Sequence, residues 1–426
     1  MKVRNLLFGT MIACAFVACS NDDDPISGGG ENNGDGKTYV EVNAKSAITK
    51  AAADEAITSL TLIVADNSGK IEAIADNASE KGNGSLSRKA SVTPGQKKVI
   101  MLANVTVAES YIGKNLSAVA ALTNDITSET DGNLSMNSVV YDIIVKANAT
   151  TYLGYSGTTS ASEVYLTDAP NDGVKLYRNV AKVVLNTIKV TEELGAGNSQ
   201  YPNAKLDVKS VYIANAKNKT SLLPVDFSEW GETQVSSDFS WLAGLSTIVE
   251  SGEGIKFKVE EVQNATGAYL AAYDNKSISA TGETTTFDKS FYVYENLNTS
   301  ASNAAAKTLL VIKGDFSYDA WDATAEKVSR VTESDRYYTI AIGRTGFEQG
   351  FSLPDNFKTL RGGAEGVNGA AVNNAFDVLR NLQYNISLTV KGMGYKTPGG
   401  ESDKQVLDVQ VQVVPFGYVN QDVEIE

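Results

Sequence analysis

The sequence predicts an all-β protein built as two tandem β-sandwich domains with a few short helices. Segments of period-two alternation, dominated by Val, Ile, Tyr and Thr, recur at intervals of roughly ten to thirty residues. No amphipathic helix lies regularly between them, which disfavours a parallel α/β sheet. At 426 residues the chain is too long for one ordinary core.

Composition narrows the chemistry. Hydrophobic content of 42% and charged content of 21% are those of a soluble globular protein. There is no histidine, which removes imidazole acid–base catalysis, His-dependent triads and His metal sites. Cys14 and Cys19 are the only cysteines, so the folded body is expected to hold no disulfide, thiolate nucleophile or Cys-ligated metal. A net charge of −14 opposes binding to nucleic acid or anionic headgroups. The glycines of Arg361–Gly366 and of Gly392-Met393-Gly394 do not open a helix after a strand, so neither is a phosphate cradle. Carboxylates fall singly in turns or on polar strand faces. No catalytic residue, cofactor or metal site is expected. Trp230, Trp241 and Trp321, with the 19 tyrosines, could form a sugar-stacking platform, but core and rim packing accounts for them more simply.

Lys2 and Arg4 precede the apolar run Leu6–Val17, which is too short to span a bilayer as a permanent helix and reads as a secretory signal. It ends Phe16-Val17-Ala18-Cys19-Ser20. A small residue before Cys resembles a bacterial lipobox, making Cys19 the expected lipidation site; Cys14, inside the apolar run after Met11-Ile12, fits less well. The acidic Ser20–Asp24 looks like the surface-export signal of Bacteroidetes lipoproteins. Ile26–Lys37 is rich in Gly and Asn and reads as a flexible tether.

In the body, Tyr39–Asn43 alternates and predicts a short strand, followed by the small, polar, loop-like Ser46–Glu55. Ser59–Ala65 predicts a strand, and Asp66-Asn67-Ser68-Gly69 a turn that closes a hairpin. Lys98–Val107 predicts a buried strand. Glu109–Leu122 carries Leu116, Val119 and Leu122 at helical spacing and predicts a short helix. Ser138–Lys146 and Ala161–Leu166 read as extended. A loop containing Asp168–Gly173 marks the domain boundary, and Arg178–Ile188 opens the second half. Lys205–Ala214, Phe291–Asn296, Thr308–Phe316, Arg336–Ile342 and Gln383–Lys391 complete the expected strands, while Phe227–Asp288 shows no order that can be assigned.

The C-terminus is written as two apolar-faced strands. Leu407, Val409, Val411 and Val413 alternate with Asp408, Gln410 and Gln412; after Pro415, Val423 and Ile425 alternate with Asp422, Glu424 and Glu426. Termini are usually polar and frayed, so this one needs something to bury it. Residues 405–426 would reach on the order of 70 Å fully extended. Burying four or so aliphatic side chains would contribute very roughly 6–12 kcal/mol before entropy costs. Whether Leu407–Val413 stays in its own domain and only Tyr418–Glu426 is handed over is left open by the pattern, and Pro415 is where the division would fall.

Several stretches together resemble the fimbrillins of Bacteroidetes, the Mfa1/FimA-type subunits of type V pili. They are the lipoprotein signal ending at Cys19, Arg178-Asn-Val-Ala-Lys-Val183, Phe291–Asn296 followed by Thr308–Gly314, Val378–Asn381, Tyr384–Leu388, Val390–Gly394, and the tail Val409–Phe416 ending Val423-Glu424-Ile425. Residues 51–170 match mainly in character, and Phe416 stands where the family often has Trp.

The resemblance implies transthyretin-like, Greek-key sandwiches and a lipidated precursor carried through the periplasm to the outer membrane, touching membrane only through its lipid. A surface protease then removes the first strand, and the C-terminal strand of the next copy fills the groove. The implied organisation is a signal peptide at 1–18, a tether at 19–37, a propeptide strand at 38–50, sandwiches at 51–175 and 176–404, and a donor tail at 405–426. The cut expected from the resemblance falls between Lys50 and Ala51, with Lys45 and Arg88 as further candidates, because no Arg lies between Arg4 and Arg88. Tyr39, Val40, Val42, Leu407, Val409, Val411, Val413, Phe416, Val423 and Ile425 are the implied polymerisation residues. Implied partners are other copies of the chain, tip and anchor fimbrial subunits, the processing protease and an adhesion receptor. The implied function is that of a shaft subunit supporting adhesion and biofilm; a tip or accessory subunit and a tethered glycan-binding lipoprotein are the alternatives. On this reading the strand Tyr39–Asn43 covers a sheet edge that its departure exposes.

Overall fold

The computed structural model defines residues 37–44, 56–76, 87–166, 173–192, 200–214, 216–217, 219–223, 248–251, 254–257, 270–282, 284–296, 308–342, 378, 380–396 and 407–415, with only the backbone defined for 123, 248–251, 254–257, 270, 341 and 407–415. Gly36–Glu426 form one compact unit. The architecture is all-β.

The first half contributes β1 (Tyr39–Asn43), β2 (Leu60–Asp66), β3 (Ile71–Ala75), β4 (Ser87–Ser91), β5 (Gly95–Ala103), α1 (Leu116–Ala120), β6 (Thr123–Asp125), β7 (Met136–Asn137), β8 (Tyr141–Val145), β9 (Thr150–Leu153), β10 (Glu163–Tyr165) and β11 (Tyr177–Arg178). One sheet has the order β10-β9-β1-β4; the other runs β11-β7-β5-β2-β3, with β8 also paired to β5. The expected hairpin closes: β2 and β3 are antiparallel, and Asp66 caps the turn by accepting from the Ser68 and Lys70 amides at 2.8 and 2.9 Å. These bonds, with that from the Ser68 hydroxyl as the largest effect, hold the Asp66 carboxyl below its ordinary range.

The near-continuous apolar runs of β2 and β5 are explained by burial on both faces. Leu60, Leu62, Val64, Val99 and Met101 enter the main core, while Ile63, Ala65, Ile100 and Leu102 pack with Leu116 and Val119 of α1 and with Leu222 and Leu223. The helix expected over Glu109–Leu122 is instead a 3-10 turn at Glu109–Tyr111 and the short α1. Gly113, at φ +85°, breaks it, and its amide turns away to the Ile71 carbonyl at 2.8 Å.

The second half contributes β12 (Val180–Val190), β13 (Lys205–Ala214), β14 (Lys219–Ser221), β15 (Ile248–Ser251), β16 (Gly254–Phe257), β17 (Leu270–Ser279), β18 (Thr285–Tyr294), β19 (Leu309–Asp322), β20 (Lys327–Ala341), β21 (Leu382–Val390) and β22 (Leu407–Pro415). Its sheets are β18-β12-β21-β22 and β17-β13-β19-β20, with β15 and β16 pairing separately. Strands up to Arg178 and strands from Val180 on pair in separate sheets, except that β14 joins β6.

Buried polar groups stitch this junction. Glu129 accepts from the Ser135 amide (2.7 Å), the Ser135 hydroxyl (2.5 Å), Asn124 Nδ2 (2.8 Å) and the Tyr294 hydroxyl of β18 (2.8 Å). Arg380 Nη1 donates to Asn179 Oδ1 at 3.0 Å, and the Arg178 amide to Asn381 Oδ1 at 3.1 Å. The sequence Arg178-Asn179 therefore marks a buried joint.

β22 pairs antiparallel with β21 from Leu407↔Val390 to Pro415↔Leu382 and is the edge strand of its sheet. An edge is where Pro is tolerated, since only one side of the strand needs ladder donors.

Candidate functional site

The first of the two unusual segments, β1, sits in the interior of its sheet. It runs antiparallel to β4 (Tyr39↔Ser91 to Asn43↔Ser87) and parallel to β9 (Tyr39↔Thr150 to Val42↔Leu153). This corrects the expectation that it covers a sheet edge. With β1 gone, β4 and β9 would face each other across a one-strand slot about 9–10 Å wide, twice the ordinary spacing.

The alternation of β1 is used on both faces. Val40, Val42 and Ala44 point into the main core at 0% exposure. On the other face the Glu41 carboxylate is only 1% exposed and accepts from the Tyr155 hydroxyl at 2.9 Å. Tyr155 packs edge-on against Tyr152, which stacks on Tyr165 at 4.8 Å. Tyr39 lies beneath the Lys89 ammonium, 4.6 Å from the ring centroid.

Both ends of the strand are tied. At entry the Val92 amide donates to the Thr38 carbonyl (3.0 Å) and the Tyr39 amide to the Ala149 carbonyl (3.1 Å). At exit the Val174 amide donates to the Asn43 carbonyl at 2.9 Å, and Ala44 bridges Val174 in parallel. Gly154, at φ +82°, passes so close that a Cβ there would lie 2.5 Å from the Asn43 oxygen.

Arg88, one of the processing candidates, lies in β4 with its side chain buried beneath the sheet. Its Nε donates to the Leu60 carbonyl at 2.7 Å and its Nη1 to the Ser87 carbonyl at 2.8 Å. Burial lowers the guanidinium's pKa, against a weaker opposing pull from Asp76.

Tyr39, Val40 and Val42 are thus in a first-half sheet, and Leu407, Val409, Val411 and Val413 in a second-half sheet; within one chain the two sets are not brought together. Cys19, Lys50, Ala51, Phe416, Val423 and Ile425 lie outside the described residues. Trp321 stands 66% exposed beside Val328 at the end of the β19–β20 hairpin, and Trp230 and Trp241 lie outside the described residues. Sequence reasoning missed Glu41 and Tyr155. A carboxylate between two valines reads as a solvent-facing position, and its partner is 114 residues away.

Residues 34–178, which span β1 and every first-half strand, match the family model of the major fimbrial subunit protein (FimA). The major fimbrium subunit FimA type-4 of Porphyromonas gingivalis is 24% identical, covering 99% of this chain and 98% of its own length. The chain is thus similar to the fimbrillins of Bacteroidetes, through its first half to the family model and along its length to the curated relative.

Solved structures agree in fold. A putative cell adhesion protein from Parabacteroides distasonis, 22% identical, superposes with a TM-score of 0.62 over 89% of this chain and 99% of its own. A fimbrilin from P. gingivalis, 20% identical, superposes with a TM-score of 0.55 over 90% and 98%. These similarities support a fimbrial subunit.

Proposed function

We propose that this protein is a fimbrillin, a shaft subunit of a cell-surface fimbrium that polymerises head to tail by strand donation. Cys19 anchors a lipidated precursor at the outer membrane. Cleavage between Lys50 and Ala51 severs β1 from the body, and the C-terminal segment of the next copy takes its place. The observation that carries this reading is β1 itself: five residues with sheet partners on both sides, two core valines, and a short sequence to β2 that holds Lys45 and Lys50.

Two further observations support it. Arg88 is buried in β4, which favours the lysines over the arginine as the cut site. β22 is engaged with β21, which favours residues 416–426 as the donated part. Losing β1 uncovers two valine sites worth about 3–6 kcal/mol when refilled, before entropy costs, together with two backbone ladders. An interface that links different surfaces of successive copies does not close on itself and so makes a filament. Tip and anchor subunits, the surface protease and an adhesion receptor complete the proposed system, which supports adhesion and biofilm.

The test is mass spectrometry of sheared surface filaments. A mature N-terminus at Ala51 is expected; lipidated Cys19 retained on all of the material would refute the shaft role.

A further inference from the structure

The slot that β1 occupies has a polar requirement as well as an apolar one. Its inner side takes two valines, and its outer side takes a carboxylate that is buried and hydrogen-bonded by Tyr155. A strand that replaced β1 with only apolar alternation would leave the Tyr155 hydroxyl without that acceptor. A hydrogen bond to a carboxylate contributes more than one to a neutral acceptor.

Residues 416–426 contain one apolar–acidic–apolar triplet, Val423-Glu424-Ile425, and it repeats the Val40-Glu41-Val42 of β1 with one added methylene. From Pro415, where β22 ends, these eleven residues reach about 36 Å when extended. Direction is constrained too. Running as β1 does, Val423, Glu424 and Ile425 take the places of Val40, Glu41 and Val42, and Glu426 that of Asn43. Running oppositely would drive Gln421 into the fully buried place of Ala44.

We propose that Glu424 of the incoming subunit replaces Glu41 and accepts the hydrogen bond of Tyr155, setting the register of the donated strand. This rests on the strand-donation reading above. Glu424 is a positioning residue: it fixes which of several alternating registers is occupied, because a shift by two residues would move the carboxylate away from Tyr155.

The registry makes Glu424 a direct neighbour of Lys89, as Glu41 is, on the same face. Cleavage between Lys50 and Ala51, as proposed above, removes both cysteines, Cys14 and Cys19, so an engineered pair reports cleanly. In cells producing Lys89→Cys/Glu424→Cys protein, oxidation is expected to link successive subunits into covalent ladders. Lys89→Cys/Ile425→Cys, with the second thiol on the opposite face, is expected not to link. Glu424→Leu is expected to raise subunit release from filaments at least tenfold, and Glu424→Gln less.

Filaments that form normally but give no Lys89–Glu424 link, with Glu424→Leu indistinguishable from wild type, would overturn the register while leaving strand donation standing. Filaments that persist after deletion of residues 405–426 would overturn both.

Discussion

Replacing Glu129 by Ala tests the joint between the two halves. The carboxylate is buried and accepts four hydrogen bonds, at 2.5, 2.7, 2.8 and 2.8 Å, one of them from Tyr294 in the second half. A hydrogen bond to a charged group contributes about 1.5–3 kcal/mol, but bonds sharing one acceptor are not additive. Truncating one member of a buried charged network costs about 3–5 kcal/mol, because the remaining donors stay buried. The expected loss is therefore about 3–5 kcal/mol. At about 2 °C per kcal/mol, the lower end for long chains, it lowers Tm by about 6–10 °C. Glu129→Gln keeps the shape and two acceptor sites but points amide hydrogens at donors, so it should fall between. Calorimetry and urea titration of the β1-retaining protein measure both variants. A loss below about 1 kcal/mol for Glu129→Ala would refute the claim that this carboxylate holds the joint.

Other perturbations follow from the same geometry. Gly154→Ala should destabilise the β1-retaining form by about 1–2 kcal/mol from the left-handed backbone alone, and by more from the approach to Asn43; hydrogen exchange of the Val174 amide should rise. Trypsin applied to the folded chain should cut at Lys45 or Lys50 and leave Arg88-Lys89 intact, as N-terminal sequencing of the fragments will reveal; early cleavage at Arg88 would contradict its burial. Lys313, foremost, and Lys209 hold the Asp335 carboxyl below its ordinary range. That contribution is present above the unfolded carboxyl's pKa, about 4, and is lost as pH falls through the lower folded value. Asp335→Asn should accordingly flatten the acid limb of stability against pH, read by urea titration below pH 4.

Much of the fold was legible because it depends on side-chain pattern. Lys205–Ala214 reads as a strand and is one, and so does Tyr39–Asn43. What the pattern cannot carry is which strand edges are paired, since ladders are made by backbone groups common to all residues. β1 was expected at an edge for that reason. Its two neighbours escaped as well. Ser87-Arg-Lys-Ala-Ser91 has no apolar alternation, and Thr150-Thr-Tyr-Leu153 is too short to announce itself; both pair with β1, and β9 with β10 as well. Arg88 illustrates the limit most sharply. An arginine in a polar run reads as exposed, yet it is buried under the sheet, its charge met by the carbonyls of Leu60 and Ser87. β17 likewise takes its order from β13 rather than from its own residues.

The interior position of β1 has a kinetic consequence. A strand at an edge can peel off one ladder at a time. β1 is clamped by two ladders, by the Val92 and Val174 amides at its ends, and by Val40, Val42 and Ala44 in the core. Severing the chain beyond it breaks none of these contacts. A nicked subunit should therefore remain closed until an incoming strand displaces the old one stepwise, like a zipper run over an occupied track. Growth would then be limited by displacement rather than by proteolysis, and a cut subunit far from a growing end would stay inert.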